Sequence, residues 1–185
     1  TEMPSPARGY WVDDFPTKVA HVWDQRMHPR DAMKPELIAD IRRAYYGLVS
    51  EVDAQIGRLL ARISELGLGT STWILFTSDH GELLGDHGGF GKAVPFAPAC
   101  RVPFILVPPD GMSDDLRGRT IATPVSLADV MPTILSLAGI EIPSDCDGVS
   151  LSEVVSGTIA HRLLDGCQGR DEGEHHWITD GRFRY

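Results

Sequence analysis

Nine apolar side chains, Ile38, Ile41, Tyr45, Leu48, Val52, Ile56, Leu59, Ile63 and Leu66, recur at gaps of three or four residues. Only an α-helix gathers such a series into one continuous stripe. The spacing predicts a single helix from Pro35 to Leu66, on the order of 45 Å long at about 1.5 Å per residue. Pro35 suits a first helical position, Glu36 sits at the positive end of the helix dipole, and Gly67 and Gly69 stop the helix. A coiled coil is the competing reading. It is the weaker one, because the chain turns at once to a strand pattern, Trp73-Ile-Leu-Phe-Thr77.

The rest of the chain continues that alternation. Val102 to Val107 reads as a second buried strand that starts at Pro103 or lies at an edge. Gly118 to Pro124 reads as a short third strand. Ser126 to Ala138 reads as a helix capped by Ser126 or Asp129, with Leu127, Val130, Ile134 and Leu137 facing inward and Pro132 in the first turn. Residues 140–175 read mostly as loop, with a short helix around Leu151 to Val155. His176 to Tyr185 reads as a hairpin turning at Asp180-Gly181, its second strand only beginning. Residues 1–34 read as an irregular surface segment pinned by Tyr10, Trp11, Phe15 and Trp23. Strands alternating with amphipathic helices indicate an α/β fold.

Composition narrows the partners. The 185 residues carry 17 Lys+Arg against 26 Asp+Glu, a net charge of −9, which argues against nucleic acid as a general partner. No run approaches the ~18 apolar residues of a transmembrane segment. Cys100, Cys146 and Cys167 are odd in number and scattered, which disfavours both a disulfide framework and a structural zinc site.

The chemistry concentrates after the first strand, in Thr77-Ser-Asp-His-Gly-Glu-Leu-Leu-Gly-Asp-His-Gly-Gly-Phe-Gly-Lys92. Asp79 and His80 fall at the carboxyl end of a buried strand, where α/β sheets bind ligands. A carboxylate oxygen beside an imidazole nitrogen can ligate a divalent cation, and Lys92 offers a cation to an anionic group. Plainer roles stand beside these. Asp79 can cap a helix through Glu82-Leu83-Leu84, His80 can bond a backbone carbonyl, and Lys92 can be solvated surface. His87 and Cys100 read as structural, and Arg101 and Asp129 as groups that hold helices and loops together.

In combination these segments resemble the sulfatase family of alkaline-phosphatase-like hydrolases. The resemblance is carried by Tyr46 with Val52-Asp53-Ala-Gln-Ile-Gly-Arg-Leu-Leu60, and by Ile74 through His87 with Phe90-Gly-Lys92. It continues in Arg101-Val-Pro-Phe-Ile105, Val125 through Ile134 with Ala138-Gly139, Asp147-Gly-Val-Ser-Leu151 and Thr179 to Tyr185. It implies an alkaline-phosphatase-like sandwich of a mostly parallel sheet between helices, present as a fragment. Residues 1–175 would be the later part of the catalytic domain, and 176–185 the start of the C-terminal subdomain hairpin.

By the same resemblance Asp79 and His80 bind a divalent metal, calcium first, with manganese or zinc as alternatives because a nitrogen ligand tilts the site that way. The resemblance further implies that Lys92 contacts the substrate's sulfate and that the substrate is a sulfate ester or a related anionic ester. Two departures stand out. Ala97-Pro98 occupies the place of the family's usual Glu-Gly pair. No Cys or Ser stands in the Cys/Ser-x-Pro-x-Arg motif that yields the family's formylglycine nucleophile; in Pro4-Ser5-Pro6-Ala7-Arg8 the nucleophile's place holds Pro4. The formylglycine is therefore expected in a missing upstream part of the chain, which this segment would need as its partner. The expected function is that of a segment of a metal-dependent sulfuric ester hydrolase. The alternatives are a phosphonate or phosphate ester hydrolase of the same superfamily, and a non-catalytic α/β domain binding an anion or a partner.

Overall fold

In the computed structural model the residues described are 34–92, 94–112, 114–168 and 175–183; the aromatic segment of residues 1–33, with Pro4 to Arg8, lies outside them. Helix α1 runs Pro35–Glu65, with Pro35 in its first turn, Glu36 at its positive end and Leu66 as C-cap. Gly67 closes it in the left-handed conformation at φ +67, its N–H bonding the Ser64 carbonyl at 2.9 Å. The apolar stripe is on the helix, but of its nine members only Ile38 is buried by the described residues.

The chain divides into two compact units, Thr1–Asp110 and Gly111–Tyr185. In the first, β1 (Ile74–Thr77) and β2 (Phe104–Val107) pair antiparallel, Ile74 opposite Val107 and Thr77 opposite Phe104. β2 begins immediately after Pro103, which has no N–H to give a ladder. Between the strands the chain folds back on itself, through the short helix α2 (Ala97–Cys100), rather than crossing over along a helix packed on the sheet. That return sets the antiparallel sense. Phe76 and Ile105 are cross-strand partners and are 37% and 52% exposed, so this face of the ribbon is apolar and open among the described residues.

The second unit is organised round a buried carboxylate. A turn of 3₁₀ helix, Leu127–Asp129, leads into α3 (Val130–Leu137), and Pro132 sits buried in its first turn. Asp129 is fully buried, and its oxygens accept from Ser126 N (2.8 Å), Val149 N (2.9 Å) and Arg162 Nη1 (2.6 Å). This fits its reading as a group that ties helix and loops together. Thr133 continues the network: its Oγ1 donates to the Asp129 carbonyl and accepts from Leu151 N, the first residue of α4 (Leu151–Val155).

One expectation is corrected here. Gly118 to Pro124 forms no strand. Gly118 turns at φ +70, Ile121 is left exposed, and no strand pairs with the segment among the described residues. Residues 140–175 are mostly loop where described, with the expected helix at Leu151–Val155. Their one addition is β3 (Leu164–Gln168), which pairs antiparallel with β4 (His175–Thr179). The strand of the expected terminal hairpin thus finds its partner upstream. Gly166 lies opposite Trp177, and a Cβ there would stand 2.4 Å from the indole ring, so the glycine makes room for the tryptophan. The turn at Asp180-Gly181 is present, with Gly181 at φ +88; residues 184 and 185 lie outside the described set.

Candidate functional site

Strand β1 ends at Thr77 and delivers Ser78, Asp79 and His80 at its carboxyl end. The segment then enters a loop fixed by its own backbone. Gly81 N bonds Ala99 O at 2.8 Å, Glu82 N bonds Pro98 O at 3.0 Å, Leu83 N bonds Gly91 O at 3.0 Å and Gly85 N bonds Gly89 O at 2.7 Å. Leu83, Val94 and Ala99 form a small buried core beneath it, with Phe96 and Cys100 packed against them. Gly81 is obligatory, since a Cβ there would lie 1.9 Å from the Pro98 carbonyl oxygen.

No helix starts at Asp79, because residues 80–83 are irregular, so its capping role is excluded; its Oδ1 instead accepts the adjacent His80 N–H at 3.0 Å. His80 does bond a backbone carbonyl, its Nδ1 lying 2.9 Å from Gly81 O. That bond serves the metal-ligand reading. A carbonyl only accepts, so the proton of a neutral imidazole sits on Nδ1 and the lone pair on Nε2. This is the outer-shell orientation that metal-bound histidines use. Nε2 stands 3.2 Å from Asp79 Oδ2, and the Lys92 ammonium is in hydrogen-bond contact with the same nitrogen. All three predicted site residues therefore meet at one point.

The electrostatics agree with that geometry. Desolvation is the largest single influence on the Asp79 carboxyl and pulls it upward, but the His80 and Asp79 amides and the attraction of His80 and Lys92 together outweigh it and hold the group below its ordinary value. The Asp79 side chain is 81% exposed and that of His80 38%, so a ligand can reach both. Asp79 Oδ2 and Lys92 Nζ each lie against His80 Nε2, and a carboxylate oxygen beside an imidazole nitrogen can ligate a divalent ion. No cluster of three or more metal-binding side chains occurs among the described residues. The formylglycine is a different matter, for no described residue provides its precursor motif.

Two residues that shape the loop were not singled out from sequence. Arg42 of α1 is buried, donating from Nε to Leu84 O and from Nη2 to Asp86 Oδ1, both at 2.7 Å. It secures a turn in which Leu84 and His87 both take positive φ, 50 and 54. Its signal was its place four residues after Ile38, a cation on the apolar side of the helix. Glu82 accepts two backbone N–H groups, a bond that spacing alone does not reveal. His87 stacks on Phe96 at 4.4 Å, and Cys100 Sγ lies 3.5 Å from Val94 O, both structural as expected.

The fold is of the alkaline-phosphatase-like α/β class. The Sulfatase family model matches residues 8–140, and the chain belongs to that family. The arylsulfatase of Clostridium perfringens (strain 13 / Type A) is 32% identical over 192 residues, covering 100% of this chain and 38% of that protein. Arylsulfatase K of Xenopus laevis is 32% identical over 164 residues, covering 80% of this chain and 30% of its own. Among solved structures, the phosphonate monoester hydrolase SpPMH from Silicibacter pomeroyi matches at TM-score 0.83 and 29% identity, over 99% of this chain and 41% of that one. This chain thus spans well under half the length of each. No helix among the described residues is long and apolar enough to cross a membrane.

Proposed function

We propose that this chain is the later part of the catalytic domain of a metal-dependent sulfatase, over residues 1–175, with 176–185 opening the C-terminal subdomain. The substrate class is a sulfate ester, and the working partner of this segment is the remainder of its own catalytic domain. Asp79 and His80 hold the divalent metal, calcium in the first instance, and Lys92 binds the anionic group of the ester. When bound, the metal supplies Lewis-acid stabilisation of charge developing on the ester oxygens. Asp79 contributes a carboxylate already kept ionised. His80 contributes an Nε2 lone pair whose direction the Gly81 carbonyl fixes. Lys92 adds a point charge beside them, which suits a tetrahedral oxyanion.

The observation that supports this reading most is the meeting of Asp79 Oδ2, His80 Nε2 and Lys92 Nζ at the end of β1. A second reading, hydrolysis of phosphonate or phosphate esters, is favoured by the imidazole at position 80 and by the likeness to the phosphonate monoester hydrolase. The test uses the whole enzyme, chelated and then supplied with calcium, manganese or zinc, on an aryl sulfate and an aryl phosphonate monoester side by side. Calcium-restored sulfate hydrolysis is expected. Turnover of the phosphonate alone would transfer the assignment to the second reading, and turnover of neither would leave a non-catalytic binding domain.

A further inference from the structure

Lys92 can act on an ester only if the backbone that carries it is held at a fixed distance from Asp79 and His80, and one side chain ties that backbone down. Glu82 is half-buried, and its Oε1 receives two backbone N–H groups: that of Leu84 at 3.2 Å, and that of Gly91, nine residues further on, at 2.6 Å. The Gly91 carbonyl in turn accepts the Leu83 N–H at 3.0 Å. Residue 91 is therefore gripped through both its peptide groups, and the next residue is Lys92, whose ammonium touches His80 Nε2. Gly91 sits at φ +87, a left-handed turn just before the lysine. The opposing limb is fixed as firmly, through Gly81 N to Ala99 O and Glu82 N to Pro98 O.

We propose that Glu82 is a positioning residue for Lys92: its carboxylate fixes the Gly91 amide and so sets where the Lys92 ammonium stands relative to the Asp79–His80 pair. The role rests on the reading of Lys92 as the anion-binding cation. It is a role for the acceptor oxygen at its reach from the backbone, not for the negative charge.

Two variants of the whole enzyme separate those properties. Glu82→Gln keeps an acceptor oxygen in place and removes the charge, whereas Glu82→Asp keeps the charge and withdraws the oxygens by one methylene. The expected result is a kcat for Glu82→Gln within about threefold of the parent. Glu82→Asp should lose about 10²-fold, the scale of a 1 Å misplacement, mainly in kcat rather than KM. In a Lys92→Ala background, Glu82→Asp should cost nothing further, because its effect runs through the lysine. The opposite order, with Gln impaired and Asp active, would overturn the proposal in favour of a charge effect. An equal loss from Glu82→Asp with and without Lys92 would overturn it in favour of a general structural role. Should Glu82→Asp fail to fold, Glu82→Ala, which removes the acceptor altogether, takes its place: a kcat loss that vanishes in the Lys92→Ala background supports the positioning role, and an unchanged kcat or a loss that persists in that background overturns it. Lys92→Ala alone with an unchanged rate would sink the underlying reading of the site, an outcome visible without any change at Glu82.

Discussion

His80 Nδ1 lies 2.9 Å from the Gly81 carbonyl oxygen, and this one bond turns the imidazole so that Nε2 faces Asp79 and Lys92. A contact that looks merely structural thus sets which ring nitrogen faces Asp79 and Lys92. It also explains why Gly81 must stay a glycine, since its backbone carries the orienting carbonyl while pressed against Pro98.

Two protein ligands hold a divalent ion weakly, because calcium takes six to eight oxygens. The chain of 185 residues is expected to bind calcium or manganese no tighter than about 10⁻⁴ M. Asp79→Ala or His80→Ala should abolish what binding there is, as read by calorimetry. Tight binding that survives both substitutions would place the metal elsewhere.

Asp129 is fully buried with three donors, one of them the Arg162 guanidinium. Replacing it by alanine leaves a largely buried arginine unpaired, which typically costs about 3–5 kcal/mol. Denaturant titration of Asp129→Ala should show a loss of that order. A change under about 0.5 kcal/mol, typical of surface sites, would contradict the network described.

Glycines separate close approach from spare room. A Cβ at Gly148 would stand 2.0 Å from the Ala128 carbonyl oxygen, whereas one at Gly57 in α1 meets nothing within 4 Å. Gly148→Ala should destabilise by about 1–3 kcal/mol, as overpacking does. Gly57→Ala should stabilise by about 0.4–1 kcal/mol, by restricting the unfolded chain. Thermal melts that moved both variants in one direction would contradict this.

Asp180 Oδ1 accepts from Phe183 N at 2.7 Å and Arg182 N at 2.8 Å. The Phe183 amide first, then that of Arg182, holds its carboxyl below the ordinary value of 3.8. A carboxyl lowered on folding adds stability that is present above its unfolded value and lost as pH falls through the lower folded one. NMR titration should find Asp180 below 3.8. Asp180→Asn should remove that contribution to the acid limb. A titration at or above the ordinary value would contradict the turn geometry.

Much of this was legible because local chemistry decided it. Pro35 and Gly67 bound α1 by what proline and glycine permit, and the capping box of Ser126 with Asp129 opens the helical turn that leads into α3, where Pro132 fits the first turn. The strand before Asp79 showed in its apolar run. β3 was not legible: Leu164-Asp-Gly-Cys-Gln168 has one strong apolar residue, and its glycine reads as a breaker until Trp177 is seen to cover it. The grips of Arg42 and Glu82 were equally hidden, because both act on backbone atoms of another limb. For Asp79 the sequence supported a ligand and a helix cap alike, and only the absence of a helix starting at it decided against the cap.

On the proposed function, Asp79, His80 and Lys92 form one centre that acts on an anionic ester. Lys92→Ala in the whole enzyme tests this, with turnover of an aryl sulfate and the thermal melt measured together. The rate should fall by roughly 10²–10³-fold, the loss expected of a group that stabilises developing charge, with stability changed by no more than about 0.5 kcal/mol. An unchanged rate on aryl sulfate, and on aryl phosphonate beside it, would return Lys92 to the solvated surface and contradict the claim.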